Sequence, residues 1–469
     1  MVFSSITFVY AFFPLVAAAY YLSKNRVYRN VVLLLASLLF YSWGEPRFLL
    51  LMLAATLAAY CGGLLMERCT AHRKLILIVT VVLLVGNLFV FKYLNFFSEN
   101  LSALFGWSAL PKLTLPIGIS FYTFQILSYV IDLYRGEIRV QRNYFYLLLY
   151  VSFFPQLIAG PIVRYETVEQ EIQERHESID DVAAGLRRFI LGLAKKVILA
   201  NNIARIAETI YAGDSAVYGT TLYWLAAVAY ALQIYFDFSG YCDMATGVGL
   251  MFNIKIPINF NSPYKSLNIR EFWQRWHITL SRFLTTYIYF PLGGSRKGMA
   301  RTCVNLMIVF LLSGLWHGAG WLFLLWGLMH GAASVLYRLF RKPYDRLHPA
   351  LQWLINFGFI VVAWVFFRAT SLTDALAIVK SMLMMNFGPL RDSITSAFAL
   401  PGGFHEGYNA IYMMIWYAAS LFACLGLRNT YEKTMDFHPT LCNALTTVLM
   451  IVYCTLSLSS VSVFLYFNF

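Results

Sequence analysis

Residues 311–321 read LLSGLWHGAGW, a histidine flanked by glycines between two apolar runs, 304–315 and 322–337. Both outer flanks are basic: Arg296, Lys297 and Arg301 precede the first run, and Arg338, Arg341 and Lys342 follow the second. Basic residues concentrate on the cytoplasmic side of membrane proteins, so the pattern predicts a hairpin that enters from the cytoplasm and returns to it. A first arm of about 14 residues rises about 21 Å, short of a hydrocarbon core about 30 Å thick, which predicts that His317 lies within the membrane. Gly314, Gly318 and Gly320 permit a break in the helix there and close approach by another backbone or a ligand.

Composition supports a membrane setting for the whole chain. Of 469 residues, 59% are hydrophobic and 13% charged, about half the charged fraction of a soluble domain. A soluble enzyme and an intrinsically disordered chain are both excluded. The formal net charge of +13 comes from short basic clusters between apolar runs, which read as topology signals and give no nucleic-acid footprint. The seven cysteines have no metal-ligand or redox spacing, so neither a disulfide framework nor a metal site is expected. MVFSSITFVY has no basic residue before its apolar run and is read as a retained helix.

Spanning takes roughly 20 apolar residues. Runs 6–22, 48–66, 75–91, 351–367, 410–427 and 444–467 are candidates, and 31–43 is short but strongly apolar. Between these two blocks the runs become polar. Residues 115–131 carry Pro116, Ser120, Thr123, Gln125 and Ser128, and 144–158 run into Pro155 and Gln156. Such segments survive at membrane depth only inside protein or against a cavity, so the centre of the chain is expected to build an internal chamber. Lys24, Arg26 and Arg29, then Arg68, Arg73 and Lys74, then Arg135, Arg139 and Arg142 place those loops in the cytoplasm and the N-terminus outside. Residues 186–199 alternate apolar side chains with Arg187, Arg188, Lys195 and Lys196, the pattern of a basic helix lying at the interface.

Of eight histidines, His72, His176, His348, His405 and His438 fall in polar connections. His317, by its depth and glycine context, is a functional candidate. His277, in EFWQRWHITLSRF, suits either a functional role or an interfacial belt of aromatics and paired charges; His330 reads as an interhelical packing histidine. QIYFDFSGYCDMATG, with Asp237 and Asp243, offers carboxylates that could bind a cation but has no calcium-loop spacing, and it reads rather as a polar re-entrant turn satisfied by neighbouring backbone. No phosphate-binding lysine loop, dinucleotide fingerprint, nucleophile elbow or zinc-protease motif occurs, so any chemistry falls to histidine.

SFYTFQILSYVIDLYRG, FFPQLIAGPIVRY, DFSGYCDMATGVGLMFNIKIPINFNSPY, FWQRWHITLSRFLTTYIYFPLGG and GLWHGAGWLFLLWGLMHG occur in that order. The set resembles the membrane-bound O-acyltransferases, in particular the bacterial alginate O-acetyltransferase branch, from the N-terminus to at least His330. The resemblance implies an all-α polytopic membrane protein with about 11–13 transmembrane or re-entrant helices around a central tunnel. It implies one domain over 1–469, with N-terminal helices in 1–110, a catalytic core in 111–340 and C-terminal helices in 341–469. His317 corresponds to the family's WHG histidine and His277 to its upstream polar partner. Trp316, Arg275, Trp276, Asn261, Tyr264, Asp237 and Gln156 are expected along the substrate tunnel.

The activity so implied is transfer of an acetyl group from a cytoplasmic thioester, acetyl-CoA or an acyl-carrier thioester, across the bacterial inner membrane for O-acetylation of an exopolysaccharide of the alginate or cellulose type. His317 would act as general base, with a covalent acetyl-histidine equally compatible. His277 would hydrogen-bond the thioester carbonyl or orient the acceptor. A periplasmic or membrane-anchored acetyltransferase that carries the group onward, and a polysaccharide synthase and export complex, are the expected partners. D-alanyl transfer to teichoic acid, a polysaccharide or ion transporter, and a scaffold subunit are the competing readings.

Overall fold

Apolar stretches in a membrane must satisfy every backbone N–H and C=O internally, and this chain does so with helices. The computed structural model describes residues 1–212, 219–385 and 406–458, with side chains described from residue 411 in the last segment, and all regular elements among them are helical. Among the described residues, five helices are long and apolar enough to cross a bilayer: Pro46–Arg68, Thr70–Lys92, Gly298–His317, Trp321–Leu339 and Pro349–Arg368. Phe8–Tyr21, Ile411–Leu425 and Leu441–Ser457 are shorter apolar helices, and the short run at 31–43 belongs to the helix Arg26–Ser42. Leu75, Val82 and Leu83 are among many large apolar side chains left facing outward, as lipid contact requires. The chain is a multi-pass, all-α membrane protein. His405 and residues 459–467 of the last predicted run lie outside the described residues.

The chain divides into two compact units, one of residues 1–190 and 241–258, the other of 191–240 and 259–469. In the first unit, the helix Ile119–Arg135 buries the polar set that lipid would reject: Ser120, Thr123, Gln125 and Ser128 are all under a tenth exposed. The Ser128 hydroxyl donates to the Gln125 carbonyl at 2.7 Å, and the Tyr150 hydroxyl donates to the Val163 carbonyl at 2.7 Å. As Pro155 and Gln156 foretell, the next segment breaks into Tyr144–Ser152 and Phe154–Leu157, where Gln156 Nε2 donates to the Tyr150 carbonyl at 2.6 Å. Buried Asp132 pairs with Arg164 at 2.9 Å.

The interfacial basic helix is a correction. Ile179–Ala194 and its π-helical continuation Lys195–Ala200 bury Arg188 and Lys196 along with their apolar face. Arg188 pairs with Asp243 at 3.1 Å within the first unit, and Lys196 with Asp237 at 2.5 Å within the second. Their partners lie on Thr220–Met251, 32 residues of continuous helix where a polar re-entrant turn is predicted. Carboxylates in mid-helix are tolerated because a cation opposite each offsets the desolvation penalty, which amphipathic periodicity alone does not reveal.

In the second unit the predicted hairpin is present, with longer arms. Gly298–His317 has 20 residues, a rise of about 30 Å, because the helix begins at Gly298 and continues through Arg301 and Asn305. Arm length therefore does not set the depth of His317, and its 4% exposure shows burial within the protein. The two arms cross backbone to backbone at Gly314 and Gly327: a Cβ on Gly314 would lie 2.2 Å from the Phe323 carbonyl oxygen, and one on Gly327 2.4 Å from that of Phe310. Gly327 and Gly331 form the small-xxx-small spacing that lets membrane helices approach this closely.

Gly327→Ala is expected to force the arms apart, costing about 1–3 kcal/mol and lowering the melting temperature in detergent. Gly358→Ala, where nothing lies within 4 Å of the added carbon, serves as the neutral control. Equal melting temperatures for the two variants would refute the tight crossing.

Candidate active site

Three histidines are buried in the second unit: His277, His317 and His330 are 0%, 4% and 0% exposed. The described polar-loop histidines His72, His176, His348 and His438 are exposed, as expected. His317 is the last residue of Gly298–His317; the chain turns through extended Gly318 and Gly320 and re-enters helix at Trp321. Its ring meets those of Trp326 and Phe367, with centroids 5.0 and 5.4 Å away.

His277 is not on a regular helix. It separates the short helices Ile269–Arg275 and Ile278–Leu284, with φ 44° and ψ 53° in the left-handed region that non-glycine residues seldom occupy. This turn aims the imidazole inward, and complete burial replaces the interfacial belt as its setting. Asn259 holds the turn. Its backbone carbonyl accepts the Ile278 N–H at 3.0 Å, and its Oδ1 accepts the Thr279 N–H at 3.1 Å and the Thr279 hydroxyl at 2.9 Å. The same Oδ1 lies 3.2 Å from His277 Nδ1. The centroids of His277 and His317 are 6.3 Å apart, and Trp316 lies against both, so one reacting group between the histidines is within reach of each. His277 stands outside the five apolar spans, and burial pushes its imidazole pKa down to about 3, leaving the ring neutral at physiological pH.

His330 is reached through the same aromatic cluster. Trp326 packs on His317 at 5.0 Å and on His330 at 4.6 Å, and Trp273 packs on His330 at 5.1 Å. Trp273 also lines a cavity of about 1100 Å³, as does Ser313, one helical turn before His317. Arg270, Arg282, Arg338 and Arg341 line the same cavity. Among the described residues Arg341 has an acidic partner, Asp345 at 3.1 Å, while Arg270, Arg282 and Arg338 have none. Arg338 and Arg341 read from sequence as topology signals and Arg282 as part of a belt of aromatics and paired charges, and only the fold shows that they line one cavity together with Ser313.

The expected tunnel residues divide among several surroundings. Trp316 lies with the histidines. Trp276 and Tyr264 are in the buried aromatic core, where the Tyr264 hydroxyl donates to the Ala231 carbonyl at 2.8 Å and accepts from Trp364 Nε1 at 3.0 Å. Arg275 pairs with Glu271 at 2.8 Å and donates to the carbonyl of Asn261, whose side-chain oxygen accepts from Asn429 at 2.7 Å. Asp237 is paired with Lys196, and Gln156 belongs to the first unit. None of these seven lines the arginine-bearing cavity. Sequence reasoning missed Asn259, Trp326 and Phe367, because side chains distant in sequence meet only in the folded unit.

Two buried imidazoles with centroids 6.3 Å apart, in the same unit as a cavity rich in unneutralised arginine, suit proton transfer on a substrate with an anionic portion. Residues 135–373 match the family model described as MBOAT, membrane-bound O-acyltransferase family. The chain is 38% identical to a peptidoglycan O-acetyltransferase of Helicobacter pylori, over 100% of this chain and 98% of that protein. It is 42% identical to the probable alginate O-acetylase AlgI of Pseudomonas aeruginosa, over 81% of this chain and 75% of that one. A teichoic acid D-alanyltransferase of Bacillus subtilis is 30% identical over 54% of this chain and 68% of its own length. A family match spanning the hairpin, both facing histidines and the cavity arginines, together with full-length similarity, makes this chain an acyltransferase of the membrane-bound O-acyltransferase family.

Proposed function

We propose that this chain takes an acetyl group from a cytoplasmic thioester and delivers it across the inner membrane for O-acetylation of an extracytoplasmic polysaccharide. The observation that carries the reading is the juxtaposition of His317 and His277 within the second unit, 6.3 Å apart and buried among aromatic rings. The relatives named for acetylation of alginate and of peptidoglycan cover most of the chain, which favours acetyl over the D-alanyl group of the teichoic acid relative, whose match covers about half. Onward transfer to the polymer would fall to a periplasmic or membrane-anchored acetyltransferase, associated with the polysaccharide's synthase and export machinery.

In this mechanism His317 removes the proton from the acceptor hydroxyl as the oxygen attacks the thioester carbonyl carbon. Collapse of the tetrahedral intermediate breaks the carbon–sulfur bond, and the imidazolium returns its proton to the departing thiolate. A neutral imidazole suits both steps near pH 7. The donor's polyphosphate portion would sit against Arg270, Arg282 and Arg338, with its thioester extending past Ser313 towards His317. Acetyl-CoA fits this arrangement because its phosphates supply the negative charge that the three arginines lack.

In liposomes loaded with an acceptor, acetyl-CoA supplied outside should be consumed by the wild-type chain and not by His317→Ala, while both variants insert and melt alike. Retained turnover in His317→Ala would defeat the assignment, and solute flux without thioester consumption would favour a transporter. Charge reversal at the cavity, Arg282→Glu with Arg338→Glu, should raise KM for acetyl-CoA about tenfold with little change in kcat, because it weakens binding of the phosphate groups before chemistry begins. The same double variant should bind acetyl-pantetheine, which lacks those phosphates, as the wild type does; an unchanged KM for acetyl-CoA would remove the arginines from donor recognition.

A further inference from the structure

The orientation of the Asn259 amide is fixed by its neighbours. A backbone N–H can only donate, so the atom receiving the Thr279 N–H at 3.1 Å is the amide oxygen. The Thr279 hydroxyl, 2.9 Å away, donates to the same atom. An amide oxygen has no proton to give, so His277 Nδ1, 3.2 Å from it, must be the donor. A neutral imidazole carries one proton, and with that proton on Nδ1 the other nitrogen, Nε2, is a lone-pair acceptor.

We propose that Asn259 is a positioning residue that locks His277 in its Nδ1–H tautomer, so that His277 Nε2 accepts a hydrogen bond from a second hydroxyl or N–H of the acceptor, beside the attacking hydroxyl, and does not donate one to the thioester carbonyl. The inference rests on the acyl-transfer reading of the histidine pair and deepens it by dividing the labour. Of the two roles open to His277, polarising the carbonyl requires a proton on Nε2, which this tautomer lacks. Orienting the acceptor requires only the lone pair. His317 then removes the proton of the attacking hydroxyl while His277 holds the acceptor through its neighbouring donor group, and no covalent bond to His277 forms or breaks.

The local backbone is built to the same end. His277 is held at φ 44°, and a non-glycine residue in that region costs of order 1 kcal/mol or more unless its surroundings impose it. Asn259 imposes it with two groups at once, its carbonyl on the Ile278 N–H and its side chain on residue 279. Rings packed against His277 include Phe238, 4.9 Å away, Trp316 and the titratable His317. A side chain serving only to start the helix Ile278–Leu284 would not need its oxygen within reach of Nδ1.

The test is nitrogen NMR on the full-length chain in lipid nanodiscs with 15N-labelled histidine, the His277 signals being those lost in His277→Gln. At neutral pH the wild type should show a protonated Nδ1 and an unprotonated Nε2. Asn259→Ala should mix the tautomers and lower kcat at least tenfold with KM for acetyl-CoA little changed. Asn259→Asp, which keeps an acceptor oxygen in place, should restore the tautomer, recover most of kcat and raise the pH at which His277 takes its second proton by about one unit or more, since a carboxylate stabilises imidazolium. A protonated Nε2 in the wild type, or an unmixed tautomer in a folded Asn259→Ala, overturns the proposal. Should Asn259→Ala fail to fold, an Asn259→Asp whose His277 titrates as in the wild type does so as well. The tautomer is read without turnover, so failure of the acyl-transfer reading, seen as a wild type that consumes no thioester, is distinguishable from failure of this one.

Discussion

A polar group withdrawn from water inside a membrane protein must find its partner on the protein, and the helices of this chain are arranged around that requirement. Arg188 and Lys196 enter the interior because Asp243 and Asp237 meet them from Thr220–Met251. Asp132 does so because Arg164 reaches it. Removing either member of such a pair would strand a charge at a cost of several kcal/mol, so these contacts specify which faces of the helices can be buried. The same rule governs the neutral groups of Ile119–Arg135, whose hydroxyls and amides turn inward because lipid offers them nothing.

The histidine pair applies this constraint to chemistry. His277 is fully buried and neutral, and the contact holding it in place is the oxygen of Asn259. His317 is placed by the hairpin, whose arms approach at Gly314 and Gly327 more closely than any side chain would allow. A rigid backbone crossing on one side and a fixed left-handed turn on the other set the spacing between two imidazoles. Preorganisation of that kind matters for acyl transfer, because a reacting group displaced by about 1 Å can lose about a hundredfold in rate.

Much of this was legible in the residues themselves. The hairpin shows in its glycines and basic flanks, and the inward face of 119–135 shows because serine, threonine and glutamine interrupt an apolar run. The WHG and RWH blocks point to His317 and His277. The left-handed turn at His277 was not legible, since the residues before and after it continue a helical pattern and the Asn259 that enforces it lies 18 positions away. The Lys196–Asp237 and Arg188–Asp243 pairs were missed for the same reason, their members lying some 40 to 55 residues apart. The hairpin's first arm was read too short because counting stopped at the polar residues of its first turns. The cavity arginines look identical to topology signals until the fold brings Arg270 and Arg282 beside Arg338.

The central claim is that His277 and His317 act on one reacting group as a unit, and a double-mutant cycle on acetyl-CoA turnover tests it most directly. With His277→Gln and His317→Ala measured singly and together in nanodiscs, the account predicts that the double variant is scarcely slower than the worse single variant, because either loss dismantles the same step. Independent losses that multiply in the double variant would show that the histidines serve separate functions and would contradict it.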